Sequence, residues 1–282
     1  MPISLIVTDL DGTLLDSAKQ FSPKLFSVIR ELRKQGVRFA PASGRPYVTL
    51  WSMFQPIAED LIYISENGAM VCDGKKMLSF EQMPLQEIQR AIQIARSAQD
   101  VYPILCCADG AYYENDVDTI FLENMASYYK VHTFVPDLLE IAAQKPVCKV
   151  ALFCHGHAED RMLPLYQVMQ NTLQVALSGI DWVDLMCPGV NKGFAFHNLC
   201  NQLGVSTKDC MAFGDYLNDL EMLRLAGESY AVANAHPDLQ ATARYLCPSN
   251  DENGVLRTIC SVFHLTESCE LNYPSPEGNR LL

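Results

Sequence analysis

Short apolar runs alternate with amphipathic stretches along this chain. Ser4 to Thr8 is a compact, β-favouring apolar run and predicts a buried strand. Leu25, Val28, Ile29 and Leu32 keep helical spacing and predict a helix over Pro23 to Gln35. Ser22 and Pro23 supply its start, and Gly36 its stop. Val37 to Ala42 reads as a second strand, Pro46 to Phe54 as a helix and Leu61 to Ile64 as a third strand. Met70 to Phe80 reads as a hairpin turning at Asp73-Gly74. This β-α-β-α-β alternation predicts a parallel sheet covered by helices.

The pattern changes near Pro84. A helix is expected from Leu85 to about Ala98 and short strands around Ile104–Cys107 and Ala111–Tyr113. A helix over Thr119–Tyr129 and strands over Val131–Val135 and Val147–Cys154 follow. Glu159–Asn171 then reads as a helix, with Leu173–Ala176 and Trp182–Met186 as a pair of strands. That order fits an α+β insert with an antiparallel sheet. From Lys192 the first pattern returns, with strands at Cys210–Phe213, Tyr230–Val232 and Tyr245–Cys247 between helices. The expected fold is α/β: a Rossmann-like parallel-sheet core built from residues 1–83 and 188–267, interrupted by an α+β domain at 84–187. A polar tail occupies 268–282.

Composition narrows the function. The chain has 282 residues and a net charge of -12, so a non-specific electrostatic grip on nucleic acid is not expected. No apolar run approaches the roughly 20 residues that span a bilayer, and with no basic n-region at Met1-Pro2-Ile3 no signal peptide is expected. The 11 cysteines are scattered without a Cys-x-x-Cys pair and read as buried free thiols in a reducing cytoplasm.

The candidate chemistry falls at strand ends and helix starts, where open α/β sheets bind ligands. Asp9 and Asp11 follow the first strand. Two carboxylates there imply a divalent cation with oxygen ligands, for which Mg²⁺ is the natural choice. Ser43-Gly44 follows the second strand, Lys192 opens a helix, and Gly214-Asp215 with Asn218-Asp219 follows another strand. Singly, each has an ordinary reading: a helix cap, a turn, a solvated charge. Together they supply a carboxylate nucleophile, a second acid, a hydroxyl, a cation and a third acid, the inventory that phosphoryl transfer needs. Cys154-His155-Gly156-His157 lacks obvious further ligands and reads as an ordinary strand end.

Asp9-Leu10-Asp11-Gly12-Thr13-Leu14 resembles motif I of the haloacid dehalogenase-like hydrolases. Ala42-Ser43-Gly44-Arg45, Pro188–Gly193 and Gly214-Asp215-x-x-Asn218-Asp219 resemble motifs II, III and IV. Their order, with Ser65-Glu66-Asn67-Gly68-Ala69, is most similar to the Cof-type phosphatases, whose α+β cap lies between motifs II and III. Tyr216 departs from that subfamily, which often has a small or amide residue there.

The resemblance implies a Mg²⁺-dependent phosphatase of small phosphorylated metabolites. In it Asp9 is the nucleophile and Asp11 the general acid and base, while Lys192 neutralises charge. Asp9, Asp215 and the Asp11 carbonyl hold the metal. Leu10, Ser43, Gly44, Lys192 and Asn218 bind phosphate, with Thr13 and Asp219 in support. The same scaffold also suits a phosphomutase, and a phospho-accepting regulatory module uses a similar residue set. No nucleic-acid or membrane partner is expected, and the substrate and the oligomeric state stay open.

Overall fold

The computed structural model describes residues 3–114 and 118–265; the expected tail at 268–282 lies outside them. In chain order the first strands and helices are β1 (Leu5–Thr8), α1 (Leu25–Lys34), β2 (Arg38–Pro41), α2 (Tyr47–Met53), β3 (Ile62–Ser65), β4 (Met70–Asp73) and β5 (Lys76–Phe80). The middle of the chain forms α3 (Leu85–Ser97), β6 (Tyr102–Cys107), β7 (Gly110–Tyr113), α4 (Thr119–Tyr128), β8 (His132–Phe134), α5 (Leu138–Gln144), β9 (Val147–Phe153), α6 (Leu163–Tyr166), β10 (Gln174–Leu177) and β11 (Trp182–Met186). The last stretch forms α7 (Lys192–Leu203), β12 (Cys210–Gly214), α8 (Leu220–Leu225), β13 (Glu228–Val232), α9 (Pro237–Thr242), β14 (Tyr245–Cys247) and α10 (Gly254–Val262).

Packing divides the described residues into two compact units, one drawn from 1–43, 56–63 and 192–282, the other from 44–55 and 64–191. The first is built on a five-stranded sheet in the order β14-β13-β12-β1-β2, parallel throughout. Every side chain of β1 is buried, which explains why Leu5, Ile6 and Val7 run apolar in succession rather than alternating. The chain leaves β1 for β2 on one side and returns to β12 on the other, so a switch in strand order falls beside β1, where such sheets open a crevice.

The α/β alternation was expected to carry the third strand into this sheet. Instead β3 heads a separate three-stranded sheet, β3-β4-β5. Glu66, Asn67 and Gly68 all have positive φ (53°, 53° and 98°), and this turn brings the chain straight back to give β3 a local partner. The hairpin at Asp73-Gly74 forms as read.

The second unit holds a six-stranded sheet, β10-β11-β9-β6-β7-β8. It is antiparallel except for the β7–β8 pair. Both of its faces are buried. Leu105, Val150, Leu152, Val183 and Leu185 meet α3 and α5 on one side, and Ile104, Ala151, Phe153, Trp182 and Met186 meet α4 on the other. The helix expected over Glu159–Asn171 is broken into a wide turn, the four-residue α6 and a 3-10 turn, because Pro164 donates no N–H to a continuing helix. The helix α5 had no counterpart in the sequence reading.

Candidate active site

The loop after β1 carries Asp9 and Asp11, two of the residues expected at the site. Asp9 follows β1, and its N–H donates to the Phe213 carbonyl of β12. Gly12 then turns the chain at φ +87°, and any Cβ there would strike the Asp215 carboxylate. The Gly12 carbonyl accepts from the Asn234 amide at 2.8 Å, and Asn250 Nδ2 donates to the Leu15 carbonyl at 3.0 Å. Two late asparagines therefore brace the loop that follows β1. Neither stood out in the sequence, because nothing in their neighbourhood marks them apart from turn formers.

Lys192, the first residue of α7, is 1% exposed. Its Nζ donates to Asp9 Oδ1 at 2.5 Å and to Asp219 Oδ1 at 2.7 Å. Asp219 Oδ2 accepts the backbone N–H groups of Asp215 and Tyr216 at 3.1 and 3.2 Å. Both oxygens of Asp219 are thus engaged in holding Lys192 and the turn after β12. Thr13 Oγ1 donates to Asp215 Oδ1 at 2.9 Å.

The electrostatics follow from this burial. Desolvation pushes the Asp9 carboxyl well above the usual range, against the pull of Lys192. Burial, with the charge of Asp219 beside it, raises Asp215 to about 6, opposed by the Thr13 hydrogen bond. Burial alone works against charge on Lys192, but Asp219 and Asp9 override it and hold the ammonium charged.

Asp9, Asp215 and Asp219 each offer an oxygen, all within 4.8 Å of one another. Three carboxylates face one ammonium, which leaves a double negative charge in a largely buried place. A divalent cation fits that deficit and that hard oxygen donor set. Asp9 and Asp215 are the residues suited to hold it, since Asp219 is committed elsewhere.

The other expected residues are placed as follows. Leu10 is fully buried and its carbonyl accepts from the N–H groups of Thr13, Leu14 and Leu15. Asp11 stands apart from the carboxylate cluster, its side chain 23% exposed and paired with Lys19 at 3.0 Å. Ser43 is buried two residues beyond β2. Asn218 lies in the 3-10 turn Leu217–Asp219. Gly44 falls in the second unit. Tyr216 packs edge-on against His236, ring centroids 5.9 Å apart. The His155 and His157 rings turn to different partners, Asp181 and Asp160, and among the described residues they join no metal-binding group. All described cysteines except Cys260 are free thiols; Cys260 is disulfide-bonded, against the expectation of free thiols throughout.

The model of the haloacid dehalogenase-like hydrolases matches residues 6–259. The chain is 29% identical over 270 residues to the 5-amino-6-(5-phospho-D-ribitylamino)uracil phosphatase YbjI of Escherichia coli, covering 93% of this chain and 97% of that protein. It is 29% identical over 240 residues to the HMP-PP phosphatase of Cronobacter sakazakii, covering 84% of this chain and 87% of the relative. Among solved structures, SMU.1108c from Streptococcus mutans superposes with a TM-score of 0.84 at 27% identity, over 93% of this chain and 99% of that one.

Proposed function

Since the chain belongs to the haloacid dehalogenase-like hydrolase family, we propose that it is a Mg²⁺-dependent phosphatase of a small phosphorylated metabolite, working through an aspartyl-phosphate on Asp9. The observation that carries this reading is the buried Asp9–Lys192–Asp219 chain beside Asp215. Phosphatase relatives that align over most of the chain support the reaction class.

In this reading an Asp9 oxygen attacks phosphorus in line, and the bond from phosphorus to the ester oxygen breaks. Asp11 protonates the departing alkoxide. It then takes a proton from the water that attacks the aspartyl-phosphate and releases inorganic phosphate. Lys192 balances charge on Asp9 and on the phosphoryl oxygens, while Asp219 keeps the ammonium in place. Leu10, Ser43, Gly44 and Asn218 receive the phosphoryl oxygens. Asp9, Asp215 and the Asp11 carbonyl would hold the metal, with Thr13 orienting Asp215. The bound cation supplies charge neutralisation at the phosphoryl group.

The segment 84–187 is the cap that selects the substrate, and residues 1–83 with 188–267 form the catalytic core. A reducing cytoplasm suits the many free thiols. Phosphate release from a panel of metabolite phosphoesters, with Mg²⁺ and with EDTA, tests the proposal. Turnover by the wild type that both EDTA and Asp9→Asn abolish supports it. Absence of release from every compound overturns it.

A further inference from the structure

A second buried charge cluster lies in the second unit, and the mechanism above does not use it. Lys149 on β9 is 1% exposed, Glu66 2% and Asp184 on β11 3%. Lys149 Nζ lies 2.6 Å from Glu66 Oε2 and 3.6 Å from Asp184 Oδ1. The same Nζ donates to the Gly44 carbonyl at 2.7 Å. Asp184 Oδ2 accepts from Asn67 Nδ2 at 2.5 Å and from Ser178 Oγ at 2.8 Å. The Glu66 N–H donates to the Arg45 carbonyl at 3.1 Å.

The cluster thus grips two successive carbonyls. Lys149 holds that of Gly44, and Glu66 holds that of Arg45 while also holding Lys149. Gly44 has no side chain to fix its own dihedrals. A Cβ there would already press on the Asn67 amide at 3.2 Å. Its orientation therefore comes from outside the turn.

Stability alone does not call for this arrangement. Glu66 and Asn67 both sit in the left-handed region, a strained backbone conformation for side-chain-bearing residues. Buried ion pairs are often matched or bettered by apolar residues of similar volume. Lys149 and Asp184 also interrupt strands that are otherwise wholly apolar. Strain and buried charge held by many partners at one turn are the pattern of a positioning device.

We propose that Lys149, locked by Glu66 and Asp184, is a positioning residue that fixes the Gly44–Arg45 turn in its phosphate-binding orientation. The catalytic half of this inference rests on the phosphatase reading, in which Gly44 receives a phosphoryl oxygen; the positional half does not.

The test is the double variant Lys149→Met with Glu66→Gln. It removes one charge of each sign, so the cluster keeps its net charge and Asp184 keeps its two donors. Lys149→Gln is the second variant, should the first fail to fold. Amide hydrogen exchange at position 66 reports the turn without any turnover. Exchange at least tenfold faster than in the wild type is expected, with distant core amides unchanged. With p-nitrophenyl phosphate as probe, kcat/KM is expected to fall at least tenfold and the inhibition constant of inorganic phosphate to rise at least fivefold. Unchanged exchange at position 66 in a folded variant overturns the positioning role. Faster exchange with unchanged phosphate inhibition overturns its link to phosphate binding. A wild type that hydrolyses no phosphoester defeats the phosphatase reading, and the exchange result still decides the positional claim.

Discussion

Lys192 Nζ donates to Asp9 Oδ1 across 2.5 Å, although 183 positions separate the two residues in the chain. One ends up at the mouth of β1, the other at the first turn of α7, and Asp219 anchors the far side of the ammonium at 2.7 Å. Asp9 is therefore held by a cation that is itself held, and the consequences of cutting each link differ.

Replacing Asp9 by Asn keeps the shape and removes the charge that the proposed mechanism uses for attack. We expect kcat on the best phosphoester to fall by at least a thousandfold. Urea denaturation should show a much smaller change, because Lys192 retains Asp219. Residual turnover above a few per cent would place the nucleophile elsewhere.

Lys192→Met leaves Asp9 and Asp219 buried without their cation. Breaking a buried pair from one side typically costs about 3–5 kcal/mol, and chemical denaturation of the metal-free protein should show a loss of that order. Adding Asp219→Leu to Lys192→Met should recover part of it without restoring activity. Stability within about 1 kcal/mol of wild type for the single variant would show that water reaches the cluster.

The metal-free protein should lose stability as pH rises from about 4 to about 6. Asp215 titrates near 6 in the folded protein, because of burial and then Asp219, against about 4 for an unfolded aspartate. Between those values the folded state binds more protons than the unfolded one, so its advantage is complete at the acid end and lost as pH passes 6. Mg²⁺ should reverse the loss above pH 6, with a gain of about 2.7 kcal/mol at a concentration a hundred times its dissociation constant. Thermal melts across pH with EDTA and with Mg²⁺ check both arms, and a melt that ignores Mg²⁺ at pH 7.5 would argue against Asp215 as a metal ligand.

Gly12→Ala should impair metal use more than folding. The new Cβ meets the Asp215 carboxylate, and φ +87° is unfavourable for any L side chain, at about 1–2 kcal/mol. The Mg²⁺ concentration for half-maximal activity should rise at least tenfold, read from a metal titration of phosphate release. An unchanged metal titration would mean that Asp215 can move aside freely.

The strand-and-helix order was legible because burial imposes a period. Strands covered on both faces, such as β1 and β12, are nearly continuous apolar runs, and α1 shows its apolar stripe at helical spacing. The acids at strand ends were legible too, since Asp9 and Asp215 follow such runs directly and a carboxylate there needs a partner.

Several features were not legible, for one shared reason. They depend on which distant segments meet, and local pattern carries no record of that. The left-handed turn at Glu66–Gly68 takes β3 out of the main sheet, although its apolar run looks like its neighbours. Asn234 and Asn250 brace the first loop from over 200 positions away. Lys149 and Asp184 did leave a trace, a charge inside an apolar strand, but only the packing of β9, β11 and the turn after Gly44 gives those charges their partners. The sequence by itself determined which side chains can do chemistry and which stretches must be buried. The tertiary structure decided which charges share a low-dielectric space, because the interaction of buried charges depends on separation in space and not along the chain.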